Sequence, residues 1–140
     1  MTTLVMGAAA TWAMVGLIWM VQVVHYPMLA TYSALAPAAA AADHQRRISW
    51  VVGPLMAVEG VTALILLVDR PDTMSGLTAW LAAALLGVAL MSTVVIQVPL
   101  HGRLAQRHDD RAARQLVASN WVRTAAWTLR GLVLAWVLAT

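Results

Sequence analysis

Apolar residues run almost unbroken through four stretches of this chain, at about residues 4–29, 46–68, 76–102 and 112–139, and polar positions gather between them. Each stretch reaches or exceeds the roughly 20 apolar residues that carry a helix across a ~30 Å hydrocarbon core. The pattern predicts one all-α domain, an integral membrane four-helix bundle. Short connections between consecutive spans make it up-down-up-down, with both termini on one side.

Within each stretch the polar exceptions are informative. Residues 1–42 carry no charged side chain. Small residues at 38–42 invite a signal-peptide reading. The lack of a positive n-region and the length of the apolar run favour a retained helix instead. Pro27 biases the residue before it away from helix and ends the first span near His25-Tyr26. Residues 31–42, with Pro37, read as a connector, and Asp43 as the N-cap of the second helix. That helix carries one charge, Glu59, and Pro54, which removes an amide and permits a bend. The third span is uncharged, with Pro99 in its last turn. Residues 101–123, across the junction of the third and fourth spans, then hold five of the nine arginines.

Composition supports the membrane reading. The chain is 61% hydrophobic and 11% charged, against roughly 25% charged for a soluble domain. There is no Cys, which excludes disulfides, thiol nucleophiles and iron–sulfur ligation by thiolate. The basic residues flank apolar spans instead of covering a soluble face, so no nucleic-acid partner is expected. The lipid bilayer is the expected partner, and the arginines near its surface suit anionic lipid. Arg46, Arg47, Arg103, Arg107, Arg111, Arg114 and Arg123 belong to one face and Arg70 alone to the other. By the positive-inside rule the connections after the first and third spans lie in the cytoplasm. Both termini then lie outside the cytoplasm, and the membrane is the cell (inner) membrane.

An ionisable residue inside a span is a site hypothesis with a partner to be named. Glu59 and Arg130 both fall near mid-membrane and are expected to form a buried ion pair. Asn120, Arg123, Trp127 and Arg130 are spaced 3, 4 and 3 apart and share one face of the fourth helix. His44, Ile48, Val51, Leu55 and Glu59 are expected on one face of the second. Gln22 and His25 on the first helix echo Gln97 and His101 on the third. His25, His44 and His101 fall at one depth, on three different helices, so they could hold iron, copper or zinc with an open position. Taken singly, each histidine also reads as a hydrated group at the interface, and Tyr26 and the tryptophans as anchors or packing.

The motif His25-Tyr26-Pro27, together with Asn120, Arg123, Thr124 and Trp127 in the run at residues 120–127, resembles the small membrane proteins grouped with anthrone oxygenases. The resemblance implies oxygenation or another redox reaction on a lipophilic, often aromatic, substrate.

Three functional expectations follow. The first is a membrane-embedded, metal-dependent oxidoreductase or oxygenase. Its metal would sit on His25, His44 and His101, and Glu59 and Arg123 would be its catalytic residues. Asn120, Arg123, Trp127, Arg130, Gln97 and Tyr26 would contact a lipophilic small molecule, with Glu59 and Arg130 as the cavity floor. The second is a module binding haem or quinone. The third is a non-enzymatic transporter or assembly protein built on the Glu59–Arg130 pair. Gly7, Gly16 and Gly87, with their Ala neighbours, admit close helix contact, including contact between copies in a homo-oligomer.

Overall fold

A computed structural model describes residues 1–28, 38–106 and 109–140, without the side chains of residues 38–41 and 44. The described residues are helical with no strand. Helix α1 spans Thr2–Met28, α2 Ala38–Val68, α3 Gly76–Gln106 and α4 Asp110–Ala139. All four are long and apolar enough to cross a membrane.

Local chemistry fixes several ends. Ser75 caps α3 by accepting from the Thr78 amide at 3.1 Å, and Asp109 caps α4 by accepting from the Ala112 amide at 3.0 Å. Asp43 is not a cap, because α2 already begins at Ala38. It sits inside the helix and pairs with Arg46 and Arg47, each at 2.6 Å. An Ala run is the best helix former available, and it extends the helix backward past the polar residue. Of the expected connector at residues 31–42, residues 31–37 lie outside the described residues and 38–42 are helix.

Helices α1 and α3 are not uniform. Residues Val21–His25 and Thr93–Gln97 form π turns, in which the Tyr26 amide reaches the Val21 carbonyl and the Val98 amide the Thr93 carbonyl. Each π turn ends two residues before a proline, Pro27 or Pro99. A proline ring crowds the carbonyl four residues back and offers it no donor. Widening the preceding turn is one way to relieve that conflict.

Helix α1 packs against α2 and α4, and α3 against the same two. Gly7 permits the α1–α2 approach, since a Cβ there would stand 2.9 Å from Thr62 Oγ1. The buried apolar residues form three layers. One joins Leu4 and Ala8 to Leu66, Met74, Ala79 and Leu134. A middle layer joins Met14 and Ile18 to Ala89 and Trp127. The third joins Val21 and Tyr26 to Leu100, Leu104 and Leu116, and contains no residue of α2.

That absence locates the opening in the bundle. In α2 no described residue is buried before Glu59, whereas Glu59, Thr62, Ala63 and Leu66 are buried beyond it. Helix α2 touches the first segment of α3 and its last, but neither π turn. A space is left beneath its first half.

Candidate functional site

Two buried polar networks occupy different depths. The deeper one uses all four helices. Glu59 Oε1 accepts from the Thr11 hydroxyl at 2.7 Å, and Glu59 Oε2 accepts from the Trp127 indole at 2.9 Å. Arg130 Nε lies 3.5 Å from Glu59 Oε1 and donates to Thr11 Oγ1 at 3.1 Å, while its Nη1 donates to the Ala82 carbonyl at 2.6 Å. Thr11, Glu59 and Trp127 are fully buried and Arg130 is 1% exposed. The expected Glu59–Arg130 pair is present, but it is one edge of a wider cluster, in which Arg130 Nη2 has no hydrogen-bond partner among the described residues.

The second network lies about 10 Å nearer the arginine-rich end, seven helical residues being worth that rise. Its bonds run in a determined direction. Ser119 donates to the Gln115 carbonyl at 2.6 Å, so its oxygen is left to accept from Gln97 Nε2 at 2.9 Å. Gln97 Oε1 therefore faces the Tyr26 hydroxyl, 3.3 Å away, and accepts its proton. Tyr26 Oη also lies 2.9 Å from His101 Nε2, and accepts from it where that nitrogen carries the ring hydrogen.

A parallel chain starts at the Val117 carbonyl, which accepts from Gln22 Nε2 at 3.3 Å. Gln22 Oε1 accepts from Asn120 Nδ2 at 2.9 Å, and Asn120 Oδ1 accepts from Arg123 Nη1 at 3.0 Å. Gln22 and Gln97 both lie in π turns, and both reach α4. The Arg123 guanidinium rests over the Trp127 ring, 5.2 Å from its centroid. Trp127 thus touches both networks.

Arg123 is 6% exposed, and among the described residues no carboxylate pairs with it. Its Nε is buried and has no hydrogen-bond partner there. It lines a cavity of about 200 Å³ beneath α2. Tyr26, His25, Gln97 and His101 line the cavity from α1 and α3, and Leu17 and Ile18 extend it toward the deeper layers. Helix α2 supplies Gln45, Ile48, Ser49, Val52, Gly53 and Met56. This face corrects the expected one, since Val51 is 53% exposed. Val52, seven residues from Glu59, returns to the same side of a helix with 3.6 residues per turn; Val51, eight residues away, does not.

The expected site residues thus separate. Tyr26, His25, Gln97, His101 and Arg123 share the cavity. Asn120 lies behind Arg123 as its acceptor. Glu59, Trp127 and Arg130 do not line the cavity, and the polar floor expected of Glu59 and Arg130 is absent from its walls. The His44 side chain lies outside the described residues. Among the described residues no group of three or more His, Cys, Asp or Glu is placed to hold a metal ion. Gln22, Thr11 and Ser119 are structural members the sequence reading did not assign to the site. Thr11 and Gln22 continue the buried register of Met14 and Ile18, and a polar residue on that register was the available signal.

No family model, curated protein or solved structure matches this chain.

Proposed function

We propose that this chain is an integral protein of the cell (inner) membrane that holds a small lipophilic molecule beneath α2, with Arg123 contacting its carbonyl or charged oxygen. The observation that carries the reading is a buried arginine without a carboxylate partner on the wall of a cavity. A buried cation left alone is strongly unfavourable, and a bound oxygen ligand removes that cost. The membrane part of the reading draws on apolar residues that face outward on every helix, such as Trp50, Leu64, Leu77, Val94 and Trp136. A soluble monomer rarely exposes so much contiguous apolar surface. The topology is up-down-up-down, with the arginine-rich end in the cytoplasm and both termini outside.

Because the chain has no cysteine, single Asp72→Cys and Gln106→Cys variants test that orientation in intact cells. An impermeant maleimide should label the first and not the second; the reverse labelling overturns the orientation.

A second reading keeps redox chemistry at the same site, as the resemblance to anthrone-oxygenase relatives implies. It is favoured by His25 and His101 lining one cavity on either side of Tyr26, with ring centroids 6.1 and 5.6 Å from the tyrosine. Iron or copper on His25, His44 and His101, or haem or quinone in place of a simple metal, would supply the electron transfer, whereas zinc there would supply only Lewis acidity. Elemental analysis and an absorption spectrum of the purified protein, beside a His25→Ala/His101→Ala variant, test it. Near-stoichiometric metal or a Soret band lost in the variant supports a metal or haem centre. A metal-free, colourless wild type that stays metal-free after reconstitution excludes both and leaves the binding reading.

A further inference from the structure

Resting on the reading of the cavity as a ligand site, we infer that its ligand is a lipophilic carboxylate, bound as the anion with its tail toward Ile18 and Met56. The chain anchored on the Gln115 carbonyl uses Gln97 Oε1 to accept the Tyr26 proton. The chain anchored on the Val117 carbonyl uses Gln22 Oε1 for Asn120 and Asn120 Oδ1 for Arg123. The amide oxygens of these two chains are therefore already occupied. Of the hydroxyls on the wall, Ser49 donates to the Gln45 carbonyl and Thr93 to the Ala89 carbonyl. The nearest carboxylate, Glu59, is held by Thr11, Trp127 and Arg130 in the deeper cluster.

Beside the Gln45 amide and the imidazoles of His25 and His101, the wall offers a ligand the Arg123 guanidinium, with its positive charge and an unused Nε–H. A planar fork of N–H donors matches the two oxygens of a carboxylate. A neutral alcohol leaves the charge uncompensated, and an ammonium repels it. Phosphate has suitable oxygens too, but a single-chain carboxylate is the smaller occupant for a cavity of about 200 Å³. The walls explain the tail. Above Arg123 the lining passes to Leu17, Ile18, Val52 and Met56, which offer no polar side-chain contact.

Gly53 supplies a clean way to close the site. It lines the cavity, and a Cβ there meets nothing within 4 Å. A larger side chain fills the void without displacing a residue of another helix, and the helix propensity gained over glycine is offset by crowding of the new Cβ against the Pro54 ring.

The test is saturable binding of decanoate, decanol and decyltrimethylammonium to the protein in phosphatidylcholine nanodiscs, with empty nanodiscs as the blank. Decanoate should bind, and the alcohol and ammonium should bind about tenfold more weakly or worse, the difference expected for one charge-assisted contact. Arg123→Gln should remove the preference. Gly53→Leu should abolish binding while thermal unfolding stays close to wild type, which gives a second variant, outside the polar network, for separating lost binding from lost folding. Equal binding of all three compounds, still blocked by Gly53→Leu, overturns the carboxylate inference and leaves the cavity reading intact. Binding of none overturns both. Displacement of decanoate by phosphatidylglycerol in the disc assigns Arg123 to lipid phosphate and also overturns it.

Discussion

The deep cluster around Glu59 and the network around Arg123 use the same kinds of residue for different ends. Each puts an arginine of α4 beside Trp127, and each is buried. Around Arg130 the protein supplies a carboxylate, a threonine and a backbone carbonyl, and draws on all four helices. Around Arg123 the described residues supply amides and a tyrosine from three helices and no carboxylate. The first arrangement pairs its cation and ties the bundle together, although Arg130 Nη2 is left without a partner among the described residues. The second leaves its cation without a carboxylate among the described residues, and it lies where α2 stands away from the π turns. Both arginines are buried and each keeps one unmatched donor atom there, so what separates them is the carboxylate.

The largest effect that would sharpen this contrast is expected at Glu59. Glu59→Ala strands the Arg130 charge and should cost about 3–5 kcal/mol, as removing one partner of a buried pair does. It is read as lost thermal stability in detergent and poor accumulation in the membrane. Glu59→Leu combined with Arg130→Leu should recover most of that loss, because no lone charge remains. A stable Glu59→Ala protein that has lost only ligand binding would break the division between the two regions. Trp127→Phe comes next. It removes the indole donor from Glu59 while keeping a ring under Arg123, for a loss of about 1–3 kcal/mol with decanoate affinity little changed. Gln97→Leu should cost less, about 1 kcal/mol or below for a hydrogen bond between helices in lipid. It should still weaken decanoate binding several-fold, because Tyr26 and His101 lose their orientation. The smallest effect belongs to Asp43→Asn. Arg47, and then Arg46, hold the Asp43 carboxyl below its ordinary range. Any stability from these pairs is present above the ordinary carboxylate range and disappears as pH falls through the lowered value. The pairs are solvent-exposed, so unfolding curves of variant and wild type should superimpose at neutral pH.

Much of this was legible in the residues. The register of Asn120, Arg123, Trp127 and Arg130 was read as one buried face, and all four are buried. The partnership of Glu59 with Arg130 followed from two lone charges at one depth. The gathering of His25, Tyr26, Gln97 and His101 followed from depth and polarity. The inward face of α2 carries Val52 where the spacing predicts Val51. Asp43 has the chemistry of a cap, but the helix propensity of the alanines before it outweighs that preference.

The sequence by itself determined four long apolar helices, an arginine-rich end, and which polar residues had to turn inward. These follow from hydrophobicity and the 3.6-residue period, and both are local. The tertiary structure decided where the bundle stays open, which arginine keeps an unmatched charge, and which way each glutamine amide points. Pro27 and Pro99 are visible in the chain, but whether a helix ends, kinks or widens into a π turn beside a proline depends on what packs around it. A cavity is the space that several helices fail to fill together, and the direction of the amide chains is set by carbonyls of α4. Neither is a property of any one segment.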